Sequence, residues 1–255
     1  MQVSGKLNKK LIKQWKKDER AHFEGWDFSY LKKRLSENNV TWDYINLSKE
    51  LVKKSSLVLD IDTGGGERLL KIHPPKNSYA TEGYKPNVKI ARKNLKKIGV
   101  KVVYADSAHK LPFKNEIFDL ILNRHGAINA KEIYRVLKKE GIFFTQQVDS
   151  RKNLVDLIKV FKEKPKWTFN NLNYRKRELE KQGFKVIKSK EWKGQIIFKD
   201  VGAIVYFLKS IPWLVDNFSV DSHLRYLEEL QRKIEKNGEL TFTLANFMIF
   251  AKKNN

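Results

Sequence analysis

The sequence predicts an α/β fold built on a mostly parallel sheet. Three observations predict it. The apolar run at 57–61 leads into Asp62-Thr63-Gly64-Gly65-Gly66, and Glu67 then opens a helical segment. That is the strand, glycine turn and helix that begin a nucleotide-type sheet. A short strand at 78–81 follows one helix later and ends on Glu82-Gly83. Strand-like and helical stretches then alternate in order as far as residue 145. Glycines in the first turn allow φ > 0 and close approach of a ligand, which would lie outside the carboxyl end of the strand.

The turn narrows the ligand class. A phosphate-binding P-loop needs Gly-Lys-Ser/Thr, whereas Gly66 is followed by Glu67, which would repel phosphate. The dinucleotide pattern needs a third glycine at the position held by Leu69. An acid at the end of the second strand is what a ribose needs, because a carboxylate accepts from both hydroxyls; Glu82 is that candidate, and Gly83 follows it directly.

In chain order, residues 1–20 read as a basic amphipathic helix, with Leu7, Leu11, Ile12 and Trp15 near helical spacing. His22 to Tyr30 is dense in aromatics, and a helical run follows Trp42-Asp43-Tyr44 to about Lys54. Helix 67–72 is stopped by Pro74-Pro75. Pro86 starts a helix whose apolar face is Val88, Ile90, Ala91 and Leu95. Strand 101–104 ends in Ala105-Asp106-Ser107, and Phe118-Asp119 leads a strand ending at Asn123. A helix at 130–137 and a strand at 141–145 come next. Helix 174–182 ends at Gly183, strand 184–187 follows, and 245–251 is a terminal strand. About fifty residues between the last two are too many for a loop in a compact domain; Val220, Leu224, Leu227, Leu230 and Ile234 give them helical periodicity. The expected organisation is a helical and aromatic segment at 1–50 and a domain at 51–255, with a helical cap insertion at about 191–240.

Composition excludes other classes. There is no cysteine, hence no disulfide, thiolate catalysis or cysteine metal site, which fits a cytoplasmic protein. The histidines show no ligand spacing, so no metal is expected. No apolar run is long enough to span a membrane. The formal charge is +23, yet only 11 of the 52 basic residues are arginine and they are spread along the chain. That pattern favours a solvated surface over a nucleic-acid interface, though RNA stays open as a partner.

What remains of the glycine turn resembles motif I of class I S-adenosylmethionine (SAM) methyltransferases, acid-x-Gly-x-Gly-x-Gly. Asp60 matches the acid, Gly64 and Gly66 match the later glycines, and Asp62 departs from the first. The ordered series over 57–147 resembles the methyltransferase type-11 group: glycine turn, Glu82, Asp106, Leu111-Pro112-Phe113, Phe118-Asp119 and Arg135-Val136-Leu137-Lys138 with Gly141. The flanks, including Gly25-Trp26-Asp27-Phe28-Ser29, resemble one bacterial subgroup of it. The resemblance implies a Rossmann-like, seven-stranded, mostly parallel sheet with an antiparallel last strand. It implies SAM as cofactor, with Asp60, Asp62, Gly64, Gly65 and Gly66 at the methionine end, Glu82 and Gly83 at ribose, Asp106 and Ser107 at adenine, and Asn123 nearby.

No universal catalytic residue exists to search for, because SAM carries its own activated methyl group. The Asn/Asp-Pro-Pro-aromatic box of exocyclic-amine methylation is absent after strand four, where Asn123-Arg124-His125-Gly126 stands. His125 is the general-base candidate, since histidine titrates near neutral pH. Three functions fit: methyl transfer to a small or medium-sized acceptor, an RNA methyltransferase, and a binding protein that has lost SAM through Asp62. The sequence leaves the oligomeric state open.

Overall fold

Four consecutive buried residues make the central strand. In the computed structural model, which describes residues 9–23 and 27–254, β2 (Val58–Ile61) has no exposed position, as expected of a parallel strand covered on both faces. It pairs in parallel with β3 (Tyr79–Glu82), aligning Leu59 with Tyr79. On its other side it pairs with β5 (Phe118–Arg124), aligning Asp60 with Leu122. β4 (Lys101–Tyr104) continues the parallel sheet beyond β3, and β6 (Leu137–Val148) beyond β5. β8 (Leu240–Lys253) is antiparallel to β6. With β1 (Leu35–Glu37) and β7 (Phe184–Phe198), the order is β1-β7-β8-β6-β5-β2-β3-β4.

The sheet therefore has eight strands where seven were expected. The extra one, β1, lies in the stretch read as helical and aromatic; it pairs antiparallel with the end of β7, Leu35 facing Phe198. β6 begins at Leu137, where the helix had been expected to continue, and β7 runs on to Phe198, well past the four residues expected.

Local chemistry sets the helix boundaries. Asp43 caps α2 (Tyr44–Val52) by accepting from the Ile45 and Asn46 N–H groups. α3 (Glu67–Ile72) ends where His73 turns left-handed ahead of the two prolines. α4 (Lys85–Leu95) carries Pro86 in its first turn. Asn129 caps α5 (Ala130–Val136), and Asn171 caps α7 (Leu172–Lys181).

The chain divides into two compact units. The larger, 40–149 with 169–192 and 246–255, holds the parallel sheet. One face of that sheet packs Trp42, Tyr44, Leu69 and Leu95 on Val58, Leu122 and Phe144. The other packs Ile133 and Leu179 on Leu59, Ile61 and Phe143.

The smaller unit takes 1–39, 150–168 and 193–245. It contains α1 (Lys9–Glu19), α6 (Val155–Val160), α8 (Val201–Ser210) and α9 (Leu224–Asn237). Its core joins Trp15, Leu31, Phe161, Tyr206 and Leu227. The helices expected as an insertion thus share a core with the N-terminal helix. Glu24, Gly25 and Trp26 of the aromatic stretch lie outside the described residues.

Candidate cofactor-binding site

Parallel strands all end on one edge, so β2, β3, β4 and β5 deliver their carboxyl ends together. The chain moves outward from β2 to β3 to β4 and then returns to the other side of β2 as β5. A crevice opens where the order reverses, between β2 and β5, and ligands of open α/β sheets bind there. The glycine turn and the loop after β5 face each other across it.

Each glycine of the turn has its own reason. Gly64 takes φ +64°, and a Cβ there would meet nothing within 4 Å, so the space beside it is open. Gly66 takes φ +84°, and its Cβ would lie 2.7 Å from Leu95 Cγ, so α4 packs directly on the turn. Gly65 accepts from the Asn94 side chain at 2.9 Å through its carbonyl. The turn hangs from β3 by the Thr63 N–H to Thr81 carbonyl bond, 3.0 Å.

Glu82 is nearly buried, at 6% exposed. One carboxylate oxygen accepts from the Gly64 N–H and the other from the Tyr84 N–H, both at 2.7 Å. The acid of β3 therefore fixes the glycine turn of β2. A carboxylate has about four lone-pair sites, so these bonds leave acceptor capacity for a ligand. Gly83 lets β3 approach the next loop; a Cβ there would lie 3.3 Å from the Ala105 carbonyl oxygen.

Asp62 takes φ +57°, the left-handed region that aspartate tolerates better than most residues. Its Oδ2 accepts from the Ser107 hydroxyl and, at 3.0 Å, from the Ala127 N–H. It thereby ties together the loops after β2, β4 and β5. Gly126 makes this possible, since a Cβ there would lie 2.5 Å from Asp62 Oδ2 and 2.6 Å from Asn123 Nδ2. Gly126→Ala should therefore cost roughly 1–3 kcal/mol in urea unfolding, the usual range for overpacking. A loss below about 0.5 kcal/mol would mean that Asp62 swings away freely.

The remaining expected residues separate. Asp106 is exposed and accepts from the Ala108 N–H at 3.0 Å. The Ser107 hydroxyl, expected at adenine, is given to Asp62. Asn123 is fully buried and turned into the protein. It accepts from Thr145 and Gln147 and donates to the Ile61 carbonyl at 3.3 Å, binding β2, β5 and β6 together. Its side chain is consumed there.

His125 takes φ +59°, and its N–H donates to the Gln146 carbonyl at 2.9 Å. The surrounding protein, then Arg124 and Arg68, push its pKa down to about 3. The imidazole is neutral at pH 7 and a poorer base than an ordinary histidine. Hydrogen bonding is the chemistry it keeps.

Electrostatics marks the crevice more sharply. Burial, with Asp62 and Glu82 adding repulsion, raises the Asp60 carboxyl to about 7. Burial also raises Asp62 and Glu82, and each feels a further carboxylate, Asp106 and Asp62 respectively. Four acids thus converge on one edge of a chain of formal charge +23. A recess of about 320 Å³ lined by Leu51, Lys54, Asp119 and residues 138–142 lies at the opposite, amino end of the strands and takes no part here.

Sheet order, glycine turn and β3 acid define the class I, Rossmann-like methyltransferase fold. Residues 59–145, about a third of the chain, match the sequence model of a methyltransferase domain. An uncharacterized protein of Methanocaldococcus jannaschii is 30% identical over 165 residues, 62% of this chain; the match spans 61% of that relative, less than two thirds of its length. A Bacillus halodurans protein provisionally described as a methyltransferase superposes with a TM-score of 0.58 at 20% identity, covering 82% of this chain and 99% of that one. The YcgJ protein of Bacillus subtilis gives 0.54 at 18% identity with the same coverage. The [4+2]-cyclase SpnF gives 0.50 at 14%, covering 85% of each chain. At such identities the structural likeness concerns the fold alone. Among the described residues no helix is long and apolar enough to cross a membrane.

Proposed function

We propose that the crevice binds S-adenosylmethionine and that the chain transfers its methyl group to a small or medium-sized acceptor. The observation that carries this reading is the convergence of Asp60, Asp62, Glu82 and Asp106 on the carboxyl edge of a strongly basic chain. Such an edge suits a cation and repels phosphate. SAM is a sulfonium with an ammonium group and no phosphate. The open space at Gly64 and the free lone pairs of Glu82 fit an adenosyl group lying along the turn.

When bound, SAM supplies an activated methyl group. The chain's own residues have three tasks. Glu82 holds ribose hydroxyls while keeping the Gly64 N–H in place. Asp60 and Asp62 offset positive charge at the methionine end. Neutral His125, beside the crevice, offers a hydrogen bond to the acceptor or to the cofactor without competing for the proton. A cytoplasmic location belongs to the same reading, since the chain has no cysteine.

The test is the pH dependence of two affinities. SAM carries the sulfonium charge, and S-adenosylhomocysteine is its uncharged counterpart. As pH falls from 8 to 6, Asp60 takes up a proton through its pKa near 7. The preference for SAM over the homocysteine product should then shrink by up to roughly tenfold per charge lost per pH unit. A preference that does not change with pH would sink the charge argument. The linkage to folding has its own sign. Asp60 holds its proton more tightly when folded, so this group opposes the fold above pH 7 and ceases to do so as pH falls towards 4.

One observation favours a second reading. The Asp62 carboxylate is already bonded across the crevice to Ser107 and Ala127. If a ligand cannot share those bonds, the chain keeps the fold without the cofactor. Binding by Asp62→Gly but not by the wild type would select this reading.

A further inference from the structure

We propose that Arg68 and Tyr44 anchor the carboxylate end of the bound cofactor, opposite the acidic wall formed by Asp60 and Asp62. This rests on the SAM reading above, and it assigns a role to two residues that the glycine turn and the β3 acid leave out.

Tyr44 opens α2 and is 6% exposed. Its ring stacks on Phe144 at 4.9 Å, and Phe144 stacks on Phe250 at 4.1 Å, so the ring is held rigidly. The preceding turn is fixed too, by Trp42 Nε1 donating to Gln146 Oε1 at 2.8 Å. Yet the Tyr44 hydroxyl is buried with no hydrogen-bond partner. Ser48, one turn on, is near enough for a weak hydrogen-bonding interaction with the phenol, but no bond of ordinary length and angle joins the two hydroxyls. A buried donor left unmade is costly, so a rigid, orphaned phenol is a site waiting for an acceptor.

Arg68 is the second residue of α3, directly after the glycine turn. It is exposed, and its guanidinium makes no hydrogen bond or ion pair among the described residues. A cation in a first turn opposes the helix dipole, so what favours it electrostatically is the neighbouring acid Asp60 and not the helix. Arg68 directly precedes Leu69, which packs in one apolar cluster with Tyr44, so it stands at the same end of the crevice as the orphaned hydroxyl; its charge is felt at Tyr44, Asp60 and His125.

The two kinds of group match a zwitterion. An α-amino acid presents an ammonium and a carboxylate on one carbon. The ammonium suits Asp60 and Asp62; the carboxylate suits a guanidinium and a phenol, both donors. A carboxylate on the acceptor has the same chemistry, and the experiment separates the two sources.

Wild type, Arg68→Ala and Tyr44→Phe are titrated with S-adenosylhomocysteine and with 5′-methylthioadenosine, which keeps adenosine and thioether but lacks the amino-acid end. Melting temperatures check folding; Tyr44→Phe preserves the ring stack. Arg68→Ala should weaken homocysteine-product binding about 10- to 100-fold, the range for a lost charge-assisted hydrogen bond, and Tyr44→Phe by roughly fivefold. Methylthioadenosine should bind all three proteins equally, and Arg68→Lys should recover part of the loss. Equal weakening of both ligands, or no change in either, overturns the anchor while leaving the cofactor site standing. An acceptor carboxylate as the true partner gives that second outcome. A wild type that binds neither ligand overturns the cofactor reading itself, and the anchor with it.

Discussion

Glu82→Gln should lower the affinity for SAM about 100-fold or more while leaving the melting temperature within a few degrees of wild type. Both carboxylate oxygens accept from backbone N–H groups, Gly64 and Tyr84, at 2.7 Å. An amide has one oxygen and one NH₂, so one of those N–H groups would face a donor. The Gly64 N–H or the loop at Tyr84 must then move. The remaining lone pairs, which the ribose hydroxyls would use, are lost on the same side. Two hydrogen bonds to a charged group are at stake, each worth roughly 1.5–3 kcal/mol. Stability should suffer less, because burial already penalises the charged carboxylate and the amide removes that penalty. Isothermal titration of the folded variant decides the matter; wild-type affinity in Glu82→Gln would remove Glu82 from the site.

The second large effect lies in the smaller unit. Arg34 bonds Asp200 through Nε and Nη2, at 2.9 and 2.6 Å, and Asp18 through Nη1 and Nη2, at 2.9 and 3.2 Å. Asp18 is fully buried and also accepts from the Tyr30 hydroxyl at 2.8 Å. Gly202 leaves room for the cluster, since a Cβ there would lie 2.0 Å from Asp18 Oδ2. Asp200 in turn caps α8 through the Ala203 N–H. Arg34→Ala leaves the Asp18 carboxylate buried without its cation, a change that costs about 3–5 kcal/mol. Arg34→Lys should recover only part, because one ammonium cannot form two bidentate pairs. Urea denaturation measures both, and a loss below about 1 kcal/mol for Arg34→Ala would mean that Asp18 is rehydrated or protonated.

The sequence made the centre of the sheet legible because its signals there are local. Pro74-Pro75 ends α3 at Ile72, and the continuous apolar run could only be a covered strand. The longer strands hid for physical reasons. β7 is mostly exposed and lysine-rich along its first twelve residues, so neither burial nor period marks it. β6 extends through Gln146 and Gln147, polar residues that are buried because a satisfied network holds them. β1 owes its existence to pairing with Phe198, far along the chain, which no local pattern announces.

The site divides the same way. Glu82 stands out in the sequence by its position at a strand end before a glycine, and in the fold its carboxylate holds the glycine turn. The task of Asp62 depends on a left-handed φ that the sequence does not print, and its partners come from two other loops. Asn123 ends its strand as expected, but its side chain points inward to Thr145 and Gln147. Gly126 was readable in principle, as the one residue without a side chain opposite the turn. Tyr44 and Arg68 were not, because only the folded chain shows that one hydroxyl and one guanidinium are left over at the same place.

The most direct measurement is calorimetric titration of the wild-type protein with SAM and S-adenosylhomocysteine at pH 8, above the raised pKa of Asp60. The account predicts saturable one-to-one binding of both in the micromolar range, with SAM preferred. No binding of either at millimolar ligand would contradict it, and would leave a methyltransferase fold whose turn is closed by Asp62.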